Sequence, residues 1–224
     1  MILSRPRLET YETARGEMRE VVLADGSSIT LNTDSAISVR YEKNQRNVSL
    51  DRGEALFVVA HAPERPFIVA SDAMQVQVLG TSFNVYAKGE ETVVSVLSGV
   101  VEVKSDRDPA EKSSKEMMTL TSGQQVAVLS DGDMTGVERF DTNAVISWRL
   151  GRAYYENEPL SDVIADLNRY FPREISIGDD SLDDVPVTGS FDLGDQSVAV
   201  EAIKVALSLH AETDASGRIV LLPD

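Results

Sequence analysis

With 224 residues, 42% of them hydrophobic, the chain has enough apolar material for a real core, as one large domain or two modest ones, and is not disordered as a whole. Its 37 acidic against 21 basic residues, a net charge of −16, disfavour nucleic acid as a partner, because every phosphate contact would work against repulsion from the rest of the surface. Cysteine is absent, which excludes disulfides and thiolate metal sites and says little about compartment.

The opening "MILSRPRLET" is too short and interrupted for a signal peptide, and no run reaches the roughly 18 apolar residues of a bilayer span. The expectation is therefore either a cytoplasmic protein or a fragment whose targeting segment lies outside it. From Glu17 to about Leu129 the apolar pattern has period two, broken by glycine and aspartate turns. In "EVVLADGSSITL", Val21 and Leu23 alternate, Asp25-Gly26 makes a hairpin turn, and Ile29 and Leu31 alternate again. Ile37, Val39 and Tyr41 form a further strand. "NVSLDRGEALFVVA" supplies two around Gly53, followed by "FIVA", "MQVQVLG", "SFNVYA", "TVVSVLSGVVEVKS" and "LTSGQQVAVLSDGD". Many short strands at regular spacing predict a solenoid-like or jelly-roll-like body with two packed sheets. "DRDPAEKSSKE", 106–116, has no apolar anchor and reads as a mobile surface loop.

After Leu129 the period changes. In "DTNAVISWRLG", Asp141 is placed to cap a short helix carrying Ala144, Val145 and Trp148 on one face, with Gly151 after its end. A strand in "RAYYENE" precedes a helix that Pro159 starts and Pro172 stops, with Leu160, Val163, Ile164, Leu167 and Phe171 at helical spacing. "REISIGD" and "VPVTGSFD" read as strands. "SVAVEAIKVALSL" reads as a second helix, capped by Ser197 and largely buried, because its polar stripe is only Glu201, Lys204 and Ser208. "RIVLLPD" closes as a strand. The predicted architecture is an N-terminal extension (1–16), an all-β domain (17–140), a connector helix (141–151) and a small α+β domain of βαβ-βαβ type (152–224).

The signposts "VVLADGSSITLNTDSAISV", "VSLDRGEALFVVA", "FIVASD", "VQVLGTSFNV", "VSVLSGVVEV", "LTSGQQV" and "ISWRLGRAYYENEPLSDVIADLNRY" resemble the periplasmic part of FecR-type transmembrane regulators. "VTGSFDLGDQSVAVEAIKVALSLHAE" is similar to the secretin and TonB N-terminal short domain that these proteins often carry last. The resemblance implies a relay from an outer-membrane TonB-dependent receptor to an extracytoplasmic-function sigma factor, usually in iron or siderophore uptake. The cytoplasmic anti-sigma region and membrane helix of that pattern are missing here. The expected role is thus that of a periplasmic sensor region, the soluble part of a single-pass inner-membrane protein. It would bind the receptor's N-terminal signalling domain and reach the sigma factor only through the missing region, without inserting into the membrane or binding nucleic acid. The alternative is a module that binds a glycan or metal chelate directly, for which 6% aromatic residues offer few platforms.

Gly80-Thr81 has two readings. One is a β-bulge or bend in which glycine takes a positive φ. The other is self-cleavage, with the Thr81 hydroxyl attacking the Gly80 carbonyl and the resulting ester hydrolysing. Some FecR-type sensors cleave themselves at such a pair, but the motif is shared more widely than the cleavage, and an intact, non-enzymatic chain is the expectation. For partner binding the α+β domain offers the exposed strand edges "PVTGSF" and "RIVLL", with Val187, Thr188, Phe191, Ile219 and Leu221 giving selectivity. Trp148, Gly151 and Tyr154 mark the domain junction and a hinge. His61 and His210 lack neighbours at metal-ligand spacing, Asp131 and Asp133 lack the further ligands of a calcium loop, and "GDDSLDD" reads as a solvated loop. No cofactor or metal is expected.

Overall fold

The computed structural model describes residues 8–72, 74–105 and 117–224. The chain divides into two compact units. One is the chain up to Ala14 with Met18–Thr142, and the other is Arg15–Glu17 with Asn143–Asp224. The 106–116 segment read as a loop lies outside the described residues.

The first unit contains β1 (Leu8–Glu12), β2 (Arg19–Val22), β3 (Ser28–Leu31), β4 (Ala36–Tyr41), β5 (Arg46–Val58), β6 (Phe67–Ser71) and β7 (Met74–Val78). It continues with β8 (Ser82–Lys88), β9 (Glu91–Ser98), β10 (Val100–Ser105), β11 (Met117–Thr121), β12 (Gln124–Leu129) and β13 (Glu138–Arg139). These strands make one curled sheet with two wings. In the first wing β1 pairs with β4, β4 with the first half of β5, and the ladder continues through β6, β7, β10 and β11. In the second, β2 pairs with β3, β3 with the second half of β5, and the ladder continues through β8, β9, β12 and β13. The mainly β expectation holds, with the two facing sheets realised as halves of a single one. Part of the stretch expected as an N-terminal extension is strand β1. Its "LETYE" buries no residue fully, so the hydrophobic pattern gave no strand signal.

Alternation places the core. In β6 and β7 every second residue is buried, and Phe67, Val69, Val76 and Val78 join Ile29, Phe57, Phe83 and Val94 of the other wing in one cluster. Phe57 and Phe83 stack with centroids 5.0 Å apart, and Phe67 meets Phe57 edge-on at 6.2 Å. β5 crosses between the wings at Gly53, whose φ is +79°. A Cβ there would overlap the Ser35 hydroxyl and fall 2.6 Å from the Asp34 carbonyl oxygen. Gly53→Ala should therefore cost about 3 kcal/mol, combining left-handed strain with a clash against backbone. Gly26→Ala, at φ +85° with open space around it, should cost about 1 kcal/mol. Urea midpoints measured by circular dichroism check both.

A four-residue helix α1 (Thr142–Val145) begins at the boundary, and the second unit continues with β14 (Arg152–Pro159), α2 (Leu160–Leu167), β15 (Ile175–Ile177), β16 (Pro186–Asp192), α3 (Gln196–Leu207), β17 (Leu209–Thr213) and β18 (Ile219–Pro223). β14 and β16 form a two-stranded antiparallel sheet; β15, β18 and β17 form a second sheet with β18 in the middle. α2 buries Leu160, Val163, Ile164 and Leu167, the stripe expected from their spacing. β17 was not anticipated; it forms a hairpin with β18 closed by Asp214, which accepts hydrogen bonds from the Ser216 and Arg218 amides.

The connector and α3 differ from expectation. The connector is not one helix, because a 3-10 turn, Ser147–Leu150, follows α1, and Trp148 is its buried residue. Gly151 ends that turn in the left-handed conformation, φ 71°. α3 is capped by Asp195, whose carboxylate accepts from the Ser197 and Val198 amides, rather than by Ser197. Nor is α3 largely buried: Ala199, Val200 and Ile203 face the core, while Val198 is 53% and Val205 73% exposed. Counting polar residues along a helix misses this, because an apolar side chain turned to solvent leaves no mark in the sequence.

Candidate functional site

Two regions come forward, a strand margin in the second unit and the corner around Gly80 and Thr81 in the first. β16 has β14 on one side and, among the described residues, no strand on the other. It runs seven residues, and Pro186 opens it, a position compatible with an edge strand. β14 is the other edge of that sheet, but its register shifts between Tyr155 and Glu158, with Asn157 at φ 58°. Such a bulge spoils a margin for further pairing, so β16 is the regular template of the two.

The other proposed edge is corrected. β18 pairs with β15 on one side and β17 on the other, so the backbone of Ile219–Leu221 is already engaged. Leu221 is fully buried, and Val187 and Phe191 of β16 are 1% and 4% exposed, so all three side chains belong to the unit's own core. Ile219 is half-buried. On β16 the outward side chains are Thr188 and Ser190: the Thr188 hydroxyl accepts from the Asn157 amide at 2.9 Å, and the Ser190 hydroxyl accepts from Arg152 Nε at 2.9 Å. Tyr154, 42% exposed, sits opposite Ser190 on β14. Trp148 is buried and its indole N–H makes no hydrogen bond.

Gly80 and Thr81 occupy the corner where the chain leaves β7 in one wing and enters β8 in the other. The chain does bend at Leu79–Gly80, but Gly80 is not among the positive-φ glycines, so left-handed backbone is not the reason for the glycine. Glycine is required for a different reason: a Cβ at position 80 would lie 2.8 Å from both Cα and Nδ1 of His61. Two backbone bonds fix this approach, from the Val59 amide to the Thr81 carbonyl and from the Ala62 amide to the Leu79 carbonyl, each 2.9 Å. They hold 59–62 alongside 79–81 and bring His61 against Gly80. Gly99, at φ +88°, lets the Thr81 methyl approach so closely that a Cβ there would fall 2.7 Å from Cγ2. Thr81 is 7% exposed, and its hydroxyl oxygen is buried without a hydrogen-bond partner. A cavity of about 270 Å³ opens beside it, lined among others by His61, Gln77, Leu79, Val100 and Glu102. Gly80 signals a close approach in the sequence; that His61, nineteen positions earlier, fills the space is a tertiary fact.

The remaining candidates are structural. His210 stands 3.8 Å from Glu212 and 3.6 Å from Asp224. Asp131 accepts from the Asp133 amide within its turn. In "GDDSLDD", Asp179 caps the 3-10 turn Asp180–Leu182, and its hydrogen bonds from Ser181 hold its carboxyl below the ordinary range. Among the described residues no cluster of three histidine or acidic side chains is placed to hold a metal, and no helix is long and apolar enough to cross a membrane.

Residues 9–102 match the model of the family described as FecR protein. Two crystal structures from Parabacteroides distasonis ATCC 8503, each described as "a putative anti-sigma factor", share the fold. The one at 2.50 Å is 30% identical, with a TM-score of 0.82, covering 97% of this chain and 100% of that one. The other, at 1.65 Å, is 29% identical with the same TM-score, covering 96% and 99%. No match was found among curated proteins. A curled β body followed in the chain by a small α+β unit, the fold shared with these two structures, defines a regulatory class. Within it, the chain belongs to the FecR family and is an anti-sigma-factor-type regulator.

Proposed function

We propose that this chain is the periplasmic sensor region of its regulator and that it binds the N-terminal signalling domain of an outer-membrane TonB-dependent receptor, relaying iron or siderophore uptake to a sigma factor. The observation that carries the reading is the margin of β16 that no strand covers among the described residues. A guest strand laid along it would gain main-chain hydrogen bonds without displacing any strand of this chain, and Thr188 and Ser190 would border it. With Val187, Phe191 and Leu221 committed to the core, selectivity comes from those two side chains and from Tyr154 rather than from the apolar set. The relay acts through a difference in affinity between two states of the regulator, and Gly151, which ends the 3-10 turn in the left-handed conformation and accepts from the Leu193 amide at 2.9 Å, is the residue to absorb the change.

Calorimetric titration against signalling domains of receptors from the same genome tests the reading. Binding should slow hydrogen exchange at β16 amides and leave β18, already paired on both sides, unchanged. No binding by the folded chain, or protection that bypasses β16, rejects it.

A second reading is favoured by the unpartnered Thr81 hydroxyl next to Gly80: the chain processes itself at that peptide bond. Intact-mass measurement tests it directly.

A further inference from the structure

Resting on the self-processing reading, we propose that His61 is the proton carrier for scission of the Gly80–Thr81 bond. Register places it there, since the Val59 and Ala62 amides bond the carbonyls of Thr81 and Leu79 and leave the imidazole against the α-carbon between them. His61 is exposed to solvent, and its ring makes no hydrogen bond among the described residues. The Thr81 hydroxyl likewise has no competing hydrogen-bond partner among the described residues, and the lack of a side chain at Gly99 is what admits its methyl. Cavity volume of about 270 Å³ alongside admits water.

The proton balance closes without any other reagent. As Thr81 Oγ1 bonds to the Gly80 carbonyl carbon, its proton passes to the imidazole. When the C–N bond breaks, the imidazole returns that proton to the departing Thr81 nitrogen, leaving an ester and a free amine. One water then cleaves the ester, its hydroxyl going to the Gly80 acyl group and its other proton to Thr81 Oγ1. Glu102, the acidic residue of the cavity wall, is 3.8 Å from Lys104, and the proton balance does not call on it.

The test follows the intact mass of the purified chain with time, with and without hydroxylamine, which captures the ester. Wild type should yield fragments ending at Gly80 and beginning at Thr81. His61→Ala and His61→Gln should slow this on the order of 100-fold, the usual effect of losing a positioned acid-base group, with the fold kept by circular dichroism. Added imidazole should restore His61→Ala, which a merely structural role would not allow, and Thr81→Ala should stay intact. Cleavage at the wild-type rate in both His61 variants would overturn the role of His61 and leave self-processing standing. A wild-type chain that stays intact even with hydroxylamine would overturn both.

Discussion

Arg46→Ala should destabilise the β unit by about 4 kcal/mol, seen as a lower urea midpoint. Arg46 is 2% exposed at the start of β5. Its Nη1 lies 2.6 Å from Asp25 and also donates to the Ala60 carbonyl at 3.0 Å, Nε donates to the Arg65 carbonyl at 2.9 Å, and the guanidinium lies over the Phe67 ring at 5.2 Å. Alanine would strand a poorly exposed carboxylate and two carbonyls at once, and the cost of unpaired groups exceeds the net worth of the pair. Arg46→Lys keeps the charge but cannot hold three acceptors in one planar fork, so it should recover only part of the loss. The pair also sets a pH dependence. Burial pushes the Asp25 carboxyl up, but hydrogen bonds from Arg46 and Ser27 outweigh it and hold the group below its ordinary value. A group depressed by folding contributes stability that is complete above its unfolded titration, near pH 4, and is lost as the pH falls through the folded value. The wild-type midpoint should thus fall more steeply than that of Asp25→Asn as the medium is acidified below about pH 4.

Phe57→Ala should cost a comparable amount, about 4 kcal/mol, for an unrelated reason. Phe57 is fully buried in the second half of β5, stacked on Phe83 and met edge-on by Phe67. Truncation removes the ring shared by both contacts and leaves a void that the paired backbones around it cannot close. Phe57→Leu, which refills much of the volume, should cost about half as much. Thermal melts of the three proteins give the order, and equal losses for Leu and Ala would mean that ring geometry outweighs volume.

Elements announced by local pattern could be read from the sequence. The Asp25-Gly26 hairpin, the β6 and β7 alternation and the α2 stripe each state their burial within a few residues. What failed to show was pairing. "RIVLL" looks like an edge because nothing in five residues tells which strands flank it, and the parallel β15 comes from more than forty positions away. The short "LHAET" of β17 follows α3 after a single left-handed residue, Ser208, too briefly to establish a new period. At the candidate sites the sequence indicated Gly80 and Thr81 as a pair and the β16 segment as an edge. It could not indicate His61, because only the hydrogen bonds at Val59 and Ala62 bring that side chain to the corner.

β5 spans both halves of the curled sheet, and its last residues lead directly into the Val59 amide that grips Thr81. One covalent rod of thirteen residues therefore connects the rim carrying Arg46 to the corner at position 81. A tug or twist applied at either end would travel along one continuous paired backbone, with Gly53 as its single left-handed joint, which makes this strand the mechanical axle of the β body.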